Sequence, residues 1–361
     1  MTTTTEHQAA IEDAAAAPQG LTRVPLSLTP LNRKEFISDQ EVRWCPGCGD
    51  YAVLAAFQSL MPQLGLKREN TVIVSGIGCS SRFPYYLDTY GMHSIHGRAP
   101  SIATGLAMTR PDLAVWVVTG DGDALSIGGN HLIHALRRNV NITIMLFNNR
   151  IYGLTKGQYS PTSEEGKVTK SSPNGSIDHP FNPVALALGA EATFVARTVD
   201  SDRKHLTEVL TAAVNHRGAS LVEIYQNCPI FNDGAFDGLK EQNSPALIPL
   251  RDGEPIIFGA QQHLGVARDH RTGSLEVVTV ADVGEENLIV HDARSEDAAQ
   301  ALAIAQLTDS QALSSAPIGI FRDVDRPVYD DEARAQVTVP DANNRISELQ
   351  RLVTGHDTWT V

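Results

Sequence analysis

The chain has 361 residues, of which 42% are hydrophobic and 20% charged, a composition typical of a soluble globular protein with a sizeable core. Its net charge of −13 argues against nucleic acid or an anionic membrane as the main partner, because both bind clustered Lys and Arg. No apolar run approaches the roughly 20 residues of a membrane-spanning helix. The start, Met1 to Gly20, lacks the basic and apolar stretches of a secretory signal, so we expect a cytoplasmic protein.

Short apolar runs rich in β-branched residues alternate with amphipathic patterns along the middle of the chain. The runs predict four buried strands, at Thr71–Ser75, Leu113–Thr119, Ile142–Phe147 and Ser220–Tyr225. The patterns around them predict helices at Asp50–Met61, Pro100–Met108, Ser126–Arg138, Pro183–Leu188 and Arg203–Asn215. This alternation predicts an α/β fold with a parallel sheet flanked by helices, in which ligands bind beyond the carboxyl ends of the strands.

We divide the chain into three parts. Residues 1–35 are expected to form a disordered tail and lead-in, 36–233 the α/β domain, and 234–361 a C-terminal extension or small domain. In the last part the pattern weakens, and the candidate elements are strands at Leu275–Ala281 and Pro317–Phe321 and a helix at Glu296–Leu307. Within the α/β domain, Ser160–Pro180 is rich in Ser, Thr, Pro and Gly, which predicts a long, mobile loop of the kind that is often functional.

Two polar motifs follow two of the predicted strands. A Gly-Asp-Gly sequence at 120–122 ends one strand, and 25 residues later (123 to 147) Asn148 and Asn149 end the next. One right-handed βαβ unit brings both strand ends to the same edge of the sheet. Taken singly, each motif is equally consistent with a tight turn or an ordinary loop. Together, at neighbouring strand ends, they predict a shared binding site.

The residue types in these motifs suit magnesium and phosphate. A carboxylate oxygen of Asp121, the amide oxygen of Asn149 and a backbone carbonyl at Ile151 are the hard oxygen ligands that Mg²⁺ prefers. Gly122 allows the backbone to approach a phosphate closely. The predicted helix Ser126–Arg138 is expected to point its first N–H groups at the anion.

The four cysteines are Cys45, Cys48, Cys79 and Cys228. The first two lie in a glycine-bearing turn, and the other two each follow a predicted strand, so all four can reach the edge that carries the magnesium motif. Four thiolates there suit either a [4Fe–4S] cluster or a Zn²⁺ ion, since both are tetrahedral in sulfur. A redox-active CxxC pair with two unrelated cysteines is the third possibility.

The combination of motifs resembles a known family. Gly-Asp-Gly followed by Asn-Asn is the thiamine-diphosphate motif, and with CPGCG at 45–49 and GIGCSSR at 76–82 it resembles the β subunits of 2-oxoacid:ferredoxin oxidoreductases over about residues 40 to 233. The resemblance implies a thiamine-diphosphate-binding fold, Mg²⁺ on Asp121, Asn149 and Ile151, and a [4Fe–4S] cluster on the four cysteines. It also implies contacts with thiamine diphosphate from Ile77, Gly78, Cys79, Ser80, His96, Gly122, Asp123, Gly153 and Leu154.

One lysine bears on the substrate. Lys156 lies seven residues beyond Asn149 in the stretch GLTKGQ, and a lysine on a glycine-bearing loop can pair with an anionic group or simply face solvent. Family members that handle 2-oxoglutarate are similar in this stretch, so the resemblance implies substrate binding by Lys156. Arg82 is a second candidate without an assigned role. His131 and His134 are spaced as possible metal ligands, but no third ligand is predicted nearby.

The resemblance implies a reaction and its partners. The expected reaction is oxidative decarboxylation of 2-oxoglutarate with CoA to succinyl-CoA and CO₂, with electrons passing through [4Fe–4S] to ferredoxin. The activating Glu is expected from a separate, larger α subunit, in a heterodimer paired into a heterotetramer. The alternatives are pyruvate or another 2-oxoacid as substrate, a non-redox thiamine-dependent decarboxylase or carboligase with structural zinc, and a zinc-bearing binding subunit without catalysis.

Overall fold

The computed structural model describes residues 19–240, 244–337, 344–356 and 359. Most of the predicted N-terminal tail, residues 1–18, lies outside the described residues. Eleven strands are found within these ranges: β1 Thr71–Ser75, β2 Tyr90–His93, β3 Ala114–Gly120, β4 Ile142–Asn148, β5 Phe194–Val199, β6 Ala219–Tyr225, β7 Leu247–Pro249, β8 Ile257–Phe258, β9 Leu264–Arg268, β10 Leu275–Thr279 and β11 Ala316–Asp323.

The α-helices of the described residues are mostly short. They are α1 Asp50–Gln63, α2 Ala99–Thr109, α3 Asp121–Leu125, α4 Gly129–Arg137, α5 Pro183–Gly189, α6 Arg203–Asn215, α7 Asp237–Lys240, α8 Val280–Val283, α9 Ala299–Ala305, α10 Tyr329–Ala335 and α11 Arg345–Thr354. Short 3₁₀ turns add Gln19–Leu21, Arg33–Phe36, Arg68–Asn70, Ser80–Tyr86 and Glu285–Asn287. None of the described helices is both long and apolar enough to cross a bilayer.

Eight strands form the main sheet, in the order β2-β1-β3-β4-β6-β5-β11-β7. The six strands from β2 to β5 run parallel, whereas β11 is antiparallel to β5 and β7 is parallel to β11. Helices cover the sheet, so the prediction of an α/β fold with a parallel sheet flanked by helices is confirmed. The last two strands come from residues 234–361, which also form the antiparallel sheet β10-β9-β8.

The central strands are apolar because they are buried on both faces. Every residue of β1 and of β4 is buried, which is why their sequences are nearly continuous hydrophobic runs rather than alternating ones. Successive side chains still point to opposite faces: Val72 and Val74 join the core on one side of the sheet, and Ile73 joins the core on the other. Two hydrophobic layers thus hold the sheet and fix the direction of its strand ends.

The predicted helix Ser126–Arg138 is wrong at its start. The chain forms the five-residue α3 directly after β3, breaks, and begins α4 only at Gly129. The break occurs at Ser126, whose φ of −90° and ψ of −105° are not helical. The N-terminus of α4 therefore does not begin at the end of β3.

A charged pair is buried inside the main sheet. Arg197 on β5 donates through Nε to Glu223 Oε2 on β6 at 2.6 Å, and both side chains are fully buried. Arg197 also donates to Thr308 Oγ1 at 2.8 Å and to the Pro317 carbonyl at 3.2 Å, which ties the C-terminal region to the sheet. Burial of two charges is tolerated here because nearly every donor and acceptor is satisfied.

Replacing Arg197 with Met should destabilise the protein by about 3–5 kcal/mol, because Glu223 would be left as an unpaired buried charge. The measurement is the free energy of unfolding in urea. The control is Arg110→Met, which removes an exposed pair with Asp112 and should leave the midpoint nearly unchanged. Equal urea midpoints for the two variants would contradict the prediction.

Candidate functional site

Four neighbouring parallel strands place the predicted site residues side by side. β1, β3, β4 and β6 are adjacent and parallel, so the loops at their carboxyl ends emerge at one edge of the sheet. The four loops carry, in that order, Cys79, Asp121, Asn149 and Cys228. The sheet therefore brings together the Gly-Asp-Gly and Asn-Asn motifs and two of the four cysteines, because each lies within a few residues of the end of its strand.

Asp121 is buried at the start of α3. Its Oδ2 accepts hydrogen bonds from Ser160 Oγ at 2.5 Å and from Thr162 Oγ1 at 2.6 Å. Burial raises the pKa of Asp121 to about 6, and these two hydroxyls counteract part of that rise. A cation at this carboxylate would relieve the same desolvation cost. The predicted loop Ser160–Pro180 thus begins with two residues that donate hydrogen bonds to Asp121.

The two asparagines of the motif have different roles. Asn148 is buried and donates from Nδ2 to Glu223 Oε1 at 2.7 Å, so its amide is used inside the protein. Asn149 donates from Nδ2 to Gln226 at 3.0 Å, and its Oδ1 accepts from the backbone N–H of Ile151 at 3.2 Å. The side-chain oxygen of the second asparagine thus lies in the turn that follows β4, at the edge of the sheet.

Arg150 holds this turn in place. It has a positive φ of 59°, which non-glycine residues rarely adopt. Its buried guanidinium donates to the carbonyls of Thr162 at 2.9 Å, Ser310 at 2.8 Å and Gln311 at 3.0 Å. Two of these carbonyls belong to the C-terminal region, which therefore supports the turn that carries Asn149.

Gly122 and Tyr152 pack directly on each other. A Cβ atom at position 122 would lie 2.1 Å from the ring of Tyr152. The Tyr152 hydroxyl donates to the Gly122 carbonyl at 2.9 Å, so the ring cannot easily move away. Only glycine fits between α3 and the Tyr152 ring, so Gly122 determines how closely the loop after β4 approaches α3.

The carboxylate of Asp123 joins three loops of the site. Its Oδ1 accepts from Ile77 N at 3.1 Å, Gly97 N at 2.7 Å and His96 Nδ1 at 2.6 Å, and its Oδ2 accepts from Thr119 Oγ1 at 2.6 Å. Asp123 is only 2% exposed. It therefore positions the cofactor-contact candidates Ile77 and His96 through its side chain.

Two of the four cysteines face the loop that follows β4, and the other two share a turn. A Cβ atom at Gly153 would lie 3.6 Å from Cys79 Sγ and 3.8 Å from Cys228 Sγ, so both thiols face the same loop. Cys48 Sγ accepts from Gln226 Nε2 at 3.3 Å, and its backbone N–H donates to the Cys45 carbonyl at 3.0 Å in a tight turn. All four are free thiols. The turn that carries Asn149 is thus flanked by thiols.

Burial favours the protonated form of three of these thiols. It raises the pKa of Cys79 to about 11, with further contributions from the charges of Asp50, Cys228 and Cys45. Burial also raises the pKa of Cys48 and of Cys228. Metal binding here would release protons, as it does at other thiolate sites. Within the described ranges, no three His, Cys, Asp or Glu side chains are grouped closely enough to hold a single metal ion.

Asp50 is a buried acid beside the cysteine turn. It is only 1% exposed. Burial raises the pKa of Asp50 to about 7, a hydrogen bond with Cys48 counteracts part of that rise, and the nearby Asp200 adds to it.

The remaining candidates surround this edge in different ways. Lys156 is exposed, with a positive φ of 71°, in a turn where its N–H donates to the Gly153 carbonyl. Leu154 is 56% exposed, and Ser80 is buried next to Cys79. Arg82 lies over the ring of Tyr86. Along α4, His131 is half-buried and His134 exposed, and no third metal ligand accompanies them among the described residues.

Comparisons with known proteins first define the class. Residues 76–224 match the family model described as the thiamine pyrophosphate enzyme, C-terminal TPP-binding domain. This range begins just after β1 and ends within β6, so it contains three of the four loops of the site and stops just short of the fourth. The fold and the match together define a thiamine-diphosphate-binding domain.

Individual relatives then define the family. Subunit KorB of 2-oxoglutarate oxidoreductase from Mycobacterium tuberculosis is 64% identical over 341 residues, which cover 94% of this chain and 91% of that protein. The β subunit of a Sulfolobus 2-oxoacid:ferredoxin oxidoreductase is 44% identical over 59% of this chain and 71% of that protein. The chain belongs to the family of 2-oxoacid:ferredoxin oxidoreductase β subunits, which confirms the resemblance seen in the sequence.

A solved structure agrees with this assignment. The 2-oxoglutarate:ferredoxin oxidoreductase from Magnetococcus marinus, solved with 2-oxoglutarate, coenzyme A and succinyl-CoA bound, contains a chain that matches with a TM-score of 0.70 at 32% identity. The match covers 90% of this chain and 99% of that one, so it extends well beyond the thiamine-diphosphate-binding domain.

Replacing Gly122 with Ala should weaken thiamine diphosphate binding at least about tenfold, because the new methyl group overlaps the Tyr152 ring and overpacking of this kind costs about 1–3 kcal/mol. Binding can be measured by calorimetry on the assembled complex. Gly105→Ala is the matched control, since a Cβ atom there meets nothing within 4 Å. Equal affinities of the two variants for thiamine diphosphate would show that the close packing at Gly122 does not contribute to binding.

Proposed function

We propose that this chain is the β subunit of a 2-oxoglutarate:ferredoxin oxidoreductase, which converts 2-oxoglutarate and CoA into succinyl-CoA and CO₂. The observation that carries the proposal is the meeting of the thiamine-diphosphate motif and the cysteines at one sheet edge, where Gly153 lies against two thiols. The names of the relatives from Mycobacterium tuberculosis and Magnetococcus marinus favour 2-oxoglutarate as the substrate.

The residues at the edge suit Mg²⁺ bound to a diphosphate. Asp121, Asn149 and the Ile151 carbonyl would hold the ion, and the packing of Tyr152 on Gly122 would fix the distance between the two loops that carry them. Thiamine diphosphate supplies an electron sink for the loss of CO₂. The protein would orient the cofactor through His96 and the backbone from Ile77 to Ser80. His96 and the Ile77 N–H both donate to Asp123, which holds them in place.

The four cysteines would hold a [4Fe–4S] cluster that accepts electrons and passes them to ferredoxin. Three observations support this role: the thiols share one edge, two of them contact the loop that carries the magnesium ligands, and Cys45 is exposed. An exposed ligand places one side of the cluster near solvent, where an external carrier can approach. Hydrogen bonds to the thiolates, such as the one from Gln226 to Cys48, would help to set the reduction potential of the cluster.

Metal analysis tests the cluster. The complex purified without oxygen should contain about four iron atoms and four acid-labile sulfides per chain, as expected of one [4Fe–4S] cluster, and Cys228→Ser should lose most of both. The control is Ser94→Ala, which removes a hydroxyl outside the cysteine loops. Zinc without acid-labile sulfide would instead favour a non-redox thiamine enzyme or a binding subunit.

Lys156 is the proposed contact to the distal carboxylate of 2-oxoglutarate. It is exposed beside the cofactor loop and forms no ion pair among the described residues, so its ammonium group is available to an anionic substrate. Lys156 has a positive φ of 71°, which is uncommon for a residue other than glycine. Such conformations concentrate at functional sites.

Lys156→Ala should raise the KM for 2-oxoglutarate at least about tenfold, which corresponds to about 1.4 kcal/mol of lost binding. Activity on pyruvate, which has no distal carboxylate, should change little. Reduction of a viologen dye by the complex measures both rates. Lys170→Ala removes another exposed lysine and serves as the control. An unchanged KM for 2-oxoglutarate would refute the role of Lys156, and faster turnover of pyruvate by the wild type would indicate a different substrate.

The partner in this proposal is a cytoplasmic α subunit that contributes the carboxylate needed to activate thiamine diphosphate. Exposed apolar side chains border the site, including Ile77, Ile95 and Leu154 at 44%, 76% and 56% exposure. Such side chains next to a cofactor site are typical of a surface that another subunit covers. We propose an αβ heterodimer paired into a heterotetramer.

A further inference from the structure

Two hydroxyl groups contact the same oxygen of Asp121. Ser160 Oγ and Thr162 Oγ1 both donate to Oδ2, at 2.5 and 2.6 Å, and both residues are buried. Within the described part of the chain, Oδ1 takes no side-chain hydrogen bond. The two oxygens of this carboxylate are therefore not equivalent, because Oδ2 accepts from both hydroxyls and Oδ1 from neither.

The turn that carries these hydroxyls is itself held firmly. Ser163 N–H donates to the Ser160 carbonyl at 3.0 Å, and Ser160 N–H donates to Ser163 Oγ at 2.8 Å. Ser163 Oγ donates to the Arg150 carbonyl at 2.5 Å, and the Arg150 guanidinium donates back to the Thr162 carbonyl at 2.9 Å. The hydroxyls of Ser160 and Thr162 are thus fixed relative to the asparagine turn that follows β4.

The proton of the Thr162 hydroxyl has a defined direction. Thr162 Oγ1 lies 2.6 Å from Asp121 Oδ2 and 2.9 Å from Asn148 Oδ1. Glu223 accepts from Asn148 Nδ2 at 2.7 Å, which turns the Asn148 oxygen toward Thr162. A hydroxyl has one proton, and the charged carboxylate is the stronger and closer acceptor. Thr162 therefore donates to Asp121.

We infer that Ser160 and Thr162 are positioning residues that restrict Asp121 to binding its metal through Oδ1 alone, and that they thereby favour Mg²⁺ over Ca²⁺. The inference rests on the proposed function, in which Asp121 is a metal ligand. Mg²⁺ demands a near-octahedral set of single oxygen contacts, whereas Ca²⁺ accepts more ligands and often takes both oxygens of one carboxylate. Two hydroxyls on Oδ2 stabilise the single-oxygen arrangement.

The experiment measures metal selectivity in the assembled complex. A chelator removes metal and cofactor, and thiamine diphosphate binding is then followed by calorimetry while MgCl₂ or CaCl₂ is titrated. The readout is the half-saturating Ca²⁺ concentration divided by that of Mg²⁺. In the Ser160→Ala/Thr162→Val double variant we expect this ratio to fall at least about tenfold, which is about 1.4 kcal/mol of selectivity.

Two further variants separate selectivity from general damage. Ser176→Ala removes another buried hydroxyl, one that donates to the Glu164 carbonyl at 2.7 Å rather than to Asp121, and it should keep the wild-type ratio. Ser160→Ala/Thr162→Ser retains one hydroxyl and should recover much of the ratio. If the first double variant does not fold, Ser160→Ala alone should lower the ratio by a smaller factor.

An unchanged ratio in these variants, or equal weakening of Mg²⁺- and Ca²⁺-dependent binding, would overturn the inference while leaving the proposed function intact. A wild-type complex that binds no thiamine diphosphate with either metal would overturn the proposed function and, with it, this role of the two hydroxyls. The two failures are therefore distinguishable within one set of titrations.

Discussion

The site depends on one constraint, the parallel pairing of four adjacent strands that all end at one edge of the sheet. β1, β3, β4 and β6 lie side by side, so their loops meet although they are far apart in sequence. Parallel strands buried on both faces have little freedom to change register, and the apolar layers above and below hold them. Any shift between β3 and β4 would separate Asp121 from Asn149.

Behind this edge, a buried polar network connects the charged interior of the sheet to the proposed metal ligand. Arg197 pairs with Glu223, Glu223 orients Asn148, and Thr162 lies between Asn148 and Asp121. Both carboxylates of this network accept hydrogen bonds, Glu223 from Arg197 and Asn148, and Asp121 from Ser160 and Thr162. Buried polar groups that are satisfied in this way are rigid rather than costly. The C-terminal region joins the same network, since Arg197 and Arg150 donate to residues between 308 and 317.

Several features of the fold and the site could be predicted from the sequence because they follow local rules. β1 matches its predicted range, and the Gly-Asp-Gly and Asn-Asn motifs, Cys79 and Cys228 lie at or just after strand ends as expected. The strand β2 was not predicted, because all four of its residues are exposed and show no burial pattern. Ser160 and Thr162 were also missed, since their turn-rich segment predicts a loop and their contact with Asp121 spans 39 and 41 residues.

The central claim is that thiamine diphosphate and an iron–sulfur cluster share this sheet edge closely enough to exchange electrons. Low-temperature electron paramagnetic resonance of the complex, mixed with 2-oxoglutarate in the absence of any external acceptor, tests it most directly. We predict the signal of a reduced [4Fe–4S] cluster that appears only when thiamine diphosphate is bound. A complex that binds thiamine diphosphate and consumes 2-oxoglutarate yet never develops this signal would contradict the account.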